Sequence, residues 1–302
     1  MPFASRTLLV LLILGSHSYA AAAEDATGST AGLPSRAQHA PNAWCHDYHA
    51  GLERAEDRRT LALLWFYDPI APTENDGFEQ EVLSQQRISD LLNDHFIAIK
   101  LPLSATVPSA GEQIVLLDHP AFDEMNHSPG LAIVDMTEPE GPFYRQVVSV
   151  YPFAHGPISV EKLAVLLDLP RGSLTQRTLI FAVRTHPELP ASTAGHFSQI
   201  LTRETESHAS HQASITLQGH HNWNARFHAI NAQLPGGLAA REVCAESWPG
   251  QRLLEAAEEC VHSWRQSPGH WDAVSSRHVL FGYDMKRGRN GIWYAAGIFA
   301  GR

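Results

Sequence analysis

Cysteine is scarce in this chain, with only Cys45, Cys244 and Cys260 among 302 residues. Three cysteines cannot build a disulfide scaffold. A Cys244–Cys260 bridge would leave Cys45 odd; alternatively, all three are small buried hydrophobes. Positive charge is also short: 22 Lys and Arg face 32 Asp and Glu, for a net charge of −10. That balance argues against nucleic acid or an anionic membrane as a partner. There is no Gly-x-Ser-x-Gly run, so no serine nucleophile stands in a recognisable context. Nor is there an apolar stretch of the ~20 residues that a membrane span needs. Internal repeats and long runs of like charge are missing too.

The apolar run Leu8 to Leu14 is far shorter than a span. It follows Arg6 and precedes the small-residue tract Ala20 to Ala23, the layout of a secretory signal peptide. Residues 1–23 are therefore expected to be cleaved near Ala23, leaving a secreted or periplasmic chain of about 280 residues. That length suffices for two domains with cores of their own. Residues 24–41, rich in Ala, Gly, Ser and Thr, are expected to be a flexible lead-in.

Residues 42–175 alternate helical and strand-like patterns. His46 to Asp57 has helical character and leads to the apolar strand Leu61 to Tyr67. A Pro/Asn/Asp/Gly loop from Asp68 to Gly77 precedes a helix expected from Phe78 to about Asp94. Strands at Phe96–Leu101, Gly130–Asp135 and Gln146–Val150 follow, then a helix over Ser159–Leu167. This order resembles the thioredoxin-like fold, with Ser128-Pro129 where thioredoxins carry a cis proline; an ordinary turn proline is the alternative. The loop at Asp68–Asp76 holds no cysteine, where the resemblance would require Cys-x-x-Cys. Thiol–disulfide exchange needs an attacking and a resolving thiol, so this domain is expected to be a redox-inactive scaffold or docking module. Residues 176–195, with the apolar run Thr178–Val183 and the connector His186-Pro187-Glu188-Leu189-Pro190, are expected to link it to a second domain over 196–302.

The second domain opens with a helical run from about His196 to Leu217, with Ile200, Leu201, His208, His211, Ala213 and Ile215 near one stripe. Gly219-His220-His221-Asn222-Trp223 and the downstream Arg226 follow, then Glu242-Val243-Cys244-Ala245-Glu246. The run Trp264-Arg265-Gln266-Ser267-Pro268-Gly269-His270 is the most specific element. Proline and glycine are expected to end a helix there, glycine in a left-handed conformation, and to present His270 on a ledge. Two strands, Val279–Met285 and Ile292–Phe299, close the chain. Together these motifs resemble the CAP superfamily (cysteine-rich secretory, antigen-5 and pathogenesis-related proteins) in its bacterial form.

The resemblance implies an α/β chain overall: a thioredoxin-like domain followed by a CAP-type α-β-α sandwich. It also implies a groove with two histidines and one or two carboxylates, at times holding a divalent metal such as zinc. Carried onto this sequence, the groove residues are His270, His220 or His221, and Glu246 or Glu242, with Glu246 preferred and His220 and His270 as metal ligands. The asparagine that follows the family's glutamate is missing. Eight histidines lie between His208 and His278. His208 and His211, three apart on a helix, could form a ligand pair or simply pack. Trp223, Trp248, Trp264, Trp271 and Trp293 either line an apolar groove or fill the core.

Two functions are compatible with these residues. One is an exported protein whose CAP groove binds a small apolar ligand, a cell-envelope component or a protein. The other is a metal-assisted hydrolase using His220, Glu246 and His270.

Overall fold

The computed structural model describes residues 44–109 and 111–302; the expected signal peptide and the expected lead-in lie outside them. The chain is mixed α/β, as its alternating patterns indicate, and is organised around two four-stranded sheets.

The first sheet is built from β1 (Leu61–Tyr67), β2 (Phe96–Pro102), β5 (Gly130–Asp135) and β6 (Val147–Pro152), in the order β2-β1-β5-β6. β1 runs parallel to β2 and antiparallel to β5, which pairs antiparallel with β6. Strand alternation divides β1 between two cores. Leu63 and Trp65 enter one, and Ala62, Leu64 and Phe66 enter the other, all fully buried. Helix α1 (Tyr48–Arg58) starts where the Asp47 carboxylate accepts the Ala50 amide at 2.8 Å, and it covers one face through Leu52 and Ala55. β3 (Thr106–Ser109) and β4 (Glu112–Val115) form a separate hairpin.

The crossover between β1 and β2 departs from the expected loop and single helix. Pro72 at a first helical position starts α2 (Pro72–Phe78) within the presumed loop. A π-helical turn, Glu79–Leu83, then breaks the run before α3 (Gln86–His95). No peptide bond among the described residues is cis, so Ser128–Pro129 is trans and Pro129 a turn proline.

Helix α4 (Val160–Leu167), capped by Ser159, closes the first half. The expected linker is in large part helix: α5 (Leu174–Thr185), opened by a reciprocal Ser173–Gln176 capping box, with Leu179, Ile180, Phe181, Ala182 and Val183 buried. The apolar run there is a core element because α5 packs on β6 of the first sheet and on β9 (Leu280–Arg287) of the second. One hydrophobic core consequently runs from Trp65 and Leu131 through α5 to Val243 and Trp264.

The second sheet has the order β7-β9-β10-β8, with β7 (His196–Phe197), β10 (Trp293–Gly301) and β8 (Ala239–Glu246). Helices α6 (Gln199–Ile215) and α7 (Trp223–Asn231) cover one face; α8 (Leu253–Gln266) and α9 (Pro268–Ser275) cover the other. This is a helix–sheet–helix sandwich. Gly282 lets α6 lie close on β9, since a Cβ there would come within 2.6 Å of the Thr202 amide nitrogen. The Ser-Pro-Gly turn ends α8 at Gln266 as expected, but Gly269 is not left-handed. Pro268 becomes the first residue of α9, because a proline at that position loses no helical hydrogen bond.

Candidate functional site

Alternation along β8 decides which side chains meet. Val243 and Ala245 point into the core beneath α8, while Ala240 belongs to the cluster under α6 and α7. Glu242 and Cys244 share the face of Ala240 and enter the space below α6 and α7.

The Glu242 side chain is only 1% exposed, yet it is charged. His220 Nδ1 lies 3.0 Å from Oε1, His208 Nε2 3.7 Å from the same oxygen, and an Arg226 terminal nitrogen 2.5 Å from Oε2. Burial pushes the carboxyl upward, but the His220 hydrogen bond and the Arg226 guanidinium outweigh it and hold the group below the usual carboxylate range. The Arg226 contact is close without hydrogen-bond alignment. Glu242 Oε2 and both Arg226 terminal nitrogens are buried without a hydrogen-bond partner.

The proton positions follow from the acceptors. Glu242 is ionised, so His220 Nδ1 carries a proton and donates it. The other ring nitrogen, Nε2, faces His270 Nε2 at 3.2 Å, within hydrogen-bond distance. Burial, and secondarily the nearby His220, lower the His270 pKa. A line of carboxylate, imidazole and imidazole thereby runs from the interior to the half-exposed rim. His208 Nε2 donates to the Gly219 carbonyl at 2.9 Å. Burial drives its pKa down to about 4, with Arg226 adding to that and Glu242 opposing it, so the ring is neutral.

The expected residues are thus sorted. His220, Glu242 and His270 converge although fifty residues separate the outer two. His221 does not join them: its Nε2 binds the Leu217 carbonyl at 3.1 Å, and its ring lies against His211. The preferred carboxylate, Glu246, is not part of the line. It sits at the exposed end of β8 opposite Tyr294, and four residues at ~3.3 Å each put it about 13 Å along the strand from Glu242. Its side chain makes no hydrogen bond or ion pair among the described residues.

The remaining candidates separate as well. His208 is buried while His211 is exposed, and their stacked rings stand 6.5 Å apart between centroids. All three cysteines are free: Cys244 faces His220, and Cys260 lies on α8 across the sheet. Burial and Glu242 raise the Cys244 pKa well up, which keeps the thiol protonated and unsuited to nucleophilic work. Trp264 and Trp293 are core, Trp223 and Trp271 partly buried beside it, and Trp248 is 66% exposed; no tryptophan groove forms.

His208 and Arg226 were not foreseen as partners of Glu242. The usable signal was on α6, where Leu201, Thr205, His208 and Gln212 form the buried stripe at helical spacing, which Ile215 does not join.

Two imidazoles at the rim have the spacing of metal ligands. Zinc–nitrogen bonds of ~2.0–2.1 Å in a tetrahedron separate two ligand nitrogens by about 3.3 Å. The His220 and His270 Nε2 atoms stand 3.2 Å apart. Glu242 behind His220 Nδ1 supplies the outer carboxylate that commonly orients a metal-binding histidine.

No family model matches this chain, and no curated protein matches it. Among solved structures, a thioredoxin from Thermus thermophilus is similar, with 16% identity, a TM-score of 0.21, and an alignment covering 30% of this chain and 64% of that one. The chain therefore spans just under two thirds of that thioredoxin's length, and a likeness of this size carries no argument about activity.

Proposed function

We propose that this is an exported binding protein. In this reading its C-terminal half is a CAP-type unit that takes its ligand or partner at the rim around His220 and His270, with a divalent metal such as zinc held by the two imidazoles. The N-terminal half is a thioredoxin-like scaffold without redox chemistry, since the loop after β1 lacks any thiol. The carrying observation is the pair of Nε2 atoms 3.2 Å apart, backed by the buried Glu242. Ligands compatible with the acidic chain are a small apolar molecule, a cell-envelope component or a protein, and not nucleic acid.

A metal-assisted hydrolase is the second reading, drawing on the same imidazoles. It needs a carboxylate able to take a proton from the attacking water. Glu246 is too far along β8, and Glu242 is engaged by His220 and Arg226 and closed to solvent. Binding is accordingly preferred to turnover. When bound, the metal would supply Lewis-acid polarisation of a ligand oxygen; His220 and His270 would hold it, and Glu242 would orient His220. Calorimetry with zinc tests the proposal: His220→Ala and His270→Ala should each abolish binding at this rim, and Glu246→Gln should leave it intact. Unchanged binding in both histidine variants would reject it.

A further inference from the structure

Beneath the His220–His270 rim lies a second group of donors, of which the proposed function uses only Glu242. His208, Glu242 and Cys244 each bring one ligand atom to a common point, all within 4.8 Å of one another. Cys244 is 2% exposed and His208 2%, and the Glu242 side chain 1%. We propose that His208, Glu242 and Cys244 form an interior metal site for a thiophilic divalent cation, zinc or its probes cobalt(II) and cadmium(II). The inference rests on the proposed function only in sharing Glu242 with the rim pair.

Three features point this way. First, the donors are of three kinds suited to a borderline ion: imidazole nitrogen, carboxylate oxygen and sulfur. Hard cations such as magnesium prefer all-oxygen sites, so the sulfur selects against them. Second, the spacing is close to that of bound ligands. His208 Nε2 and Glu242 Oε1 are 3.7 Å apart, against about 3.3 Å for ligands on tetrahedral zinc. His220 Nδ1 stands 3.7 Å from Cys244 Sγ and 3.0 Å from Glu242 Oε1, so the rim histidine borders the inner group. Third, Gln212 Nε2 and one Arg226 terminal nitrogen are buried beside the group without a hydrogen-bond partner, while the other Arg226 nitrogen pairs with Glu242 Oε2 at 2.5 Å. A thiol facing an imidazole and a carboxylate is a poor choice for a mere filler; with metal bound, the Glu242 carboxylate and the Cys244 thiolate offset the two charges of the cation, and the Arg226 guanidinium leaves a net charge of about +1.

Loading the site has a proton balance. The Cys244 thiol loses its proton to solvent as the sulfur–metal bond forms. His208 moves its proton from Nε2, where it now bonds the Gly219 carbonyl, to Nδ1, freeing the Nε2 lone pair. One proton is released per metal bound, and nothing is oxidised or reduced.

The test is a cobalt(II) titration of the full chain, followed by absorption, stoichiometry and proton release. Two equivalents should bind, one with a thiolate-to-cobalt charge-transfer band in the near ultraviolet. Cys244→Ser and His208→Ala should each lose that band and one equivalent. His270→Ala should keep the band and lose the other equivalent. Far-ultraviolet circular dichroism establishes that each variant is folded; if Cys244→Ser unfolds, His208→Ala and a Cys45→Ser control carry the assignment. A single equivalent without the band, lost in His270→Ala, would overturn the inner site and leave the rim proposal standing. A single equivalent with the band, lost in Cys244→Ser and kept in His270→Ala, would support the inner site and reject the rim. A band that survives Cys244→Ser belongs to another thiol and overturns the inference.

Discussion

Two buried carboxylates, Asp135 in the first sheet and Glu242 in the second, are partnered differently. In the first, Asp135 is 1% exposed and its carboxylate accepts the Thr137 amide and hydroxyl and the Arg171 Nε. It is a satisfied buried acid, and its role is to hold a strand end to the segment before α5. In the second, Glu242 is as deeply buried, but one oxygen has no aligned partner and the facing guanidinium is short of acceptors. A cluster in that condition is costly unless something else completes it. The difference teaches that burial alone does not mark a site. Incomplete partnering, together with a route to solvent through His220 and His270, does.

The largest effect that would break this contrast is truncation. The two sheets share α5 and one continuous core, so expressing 196–302 alone would expose the apolar faces of β9 and α8 that α5 covers. Such a fragment is expected to be insoluble or molten, by solubility and near-ultraviolet circular dichroism; a cooperatively folding fragment would show that the halves are independent. Next comes Glu242→Ala, which strands Arg226 among buried atoms. Urea denaturation should read a loss of about 3–5 kcal/mol. A loss below about 1 kcal/mol would mean that Glu242 is not what compensates the buried Arg226 charge.

The pH dependence comes next in size. With metal chelated, the folded pKa of His208 is about 4 against 6.5 for the free side chain. The unfolded chain therefore binds the proton more readily. The stability tied to neutral His208 is complete above pH 6.5 and is lost as pH falls from 6.5 toward 4, up to about 3 kcal/mol. His208→Leu should flatten that slope in a pH series of denaturation curves, and an unchanged slope would assign it elsewhere. Glu242→Gln sharpens the rim account: zinc affinity there should fall about 10–100-fold through loss of the orienting carboxylate. The smallest expected effect is in the first half, where Cys45→Ser should leave insulin-reduction activity at the buffer level, as in the parent chain.

Much of this arrangement could be read from the sequence, and what could not has physical reasons. The mixed α/β class followed from alternating patterns, and the C-terminal strand pair from Val279–Met285 and Ile292–Phe299. His270 was legible because Ser-Pro-Gly marks a backbone change whatever the surroundings. The choice between Glu242 and Glu246 was not, since both lie on one face of a strand. Only the coverage by α6 and α7, a tertiary fact, buries one and leaves the other in solvent. His208 and His211 posed the same problem on a helix, where a turn of about 100° per residue separates a buried ring from an exposed one. The helix α5 overlaps the expected linker, and its apolar run Thr178–Val183 did not reveal it because a short apolar run looks alike in helix and strand. Its capping box, Ser173-x-x-Gln176, was the available signal.

The account turns on His220 and His270 acting as one centre. Zinc stoichiometry of the full chain against His270→Ala, by equilibrium dialysis and elemental analysis, is the direct measurement. The account predicts that the variant, still folded, binds one equivalent fewer than the parent. Equal zinc content in the two proteins would contradict it.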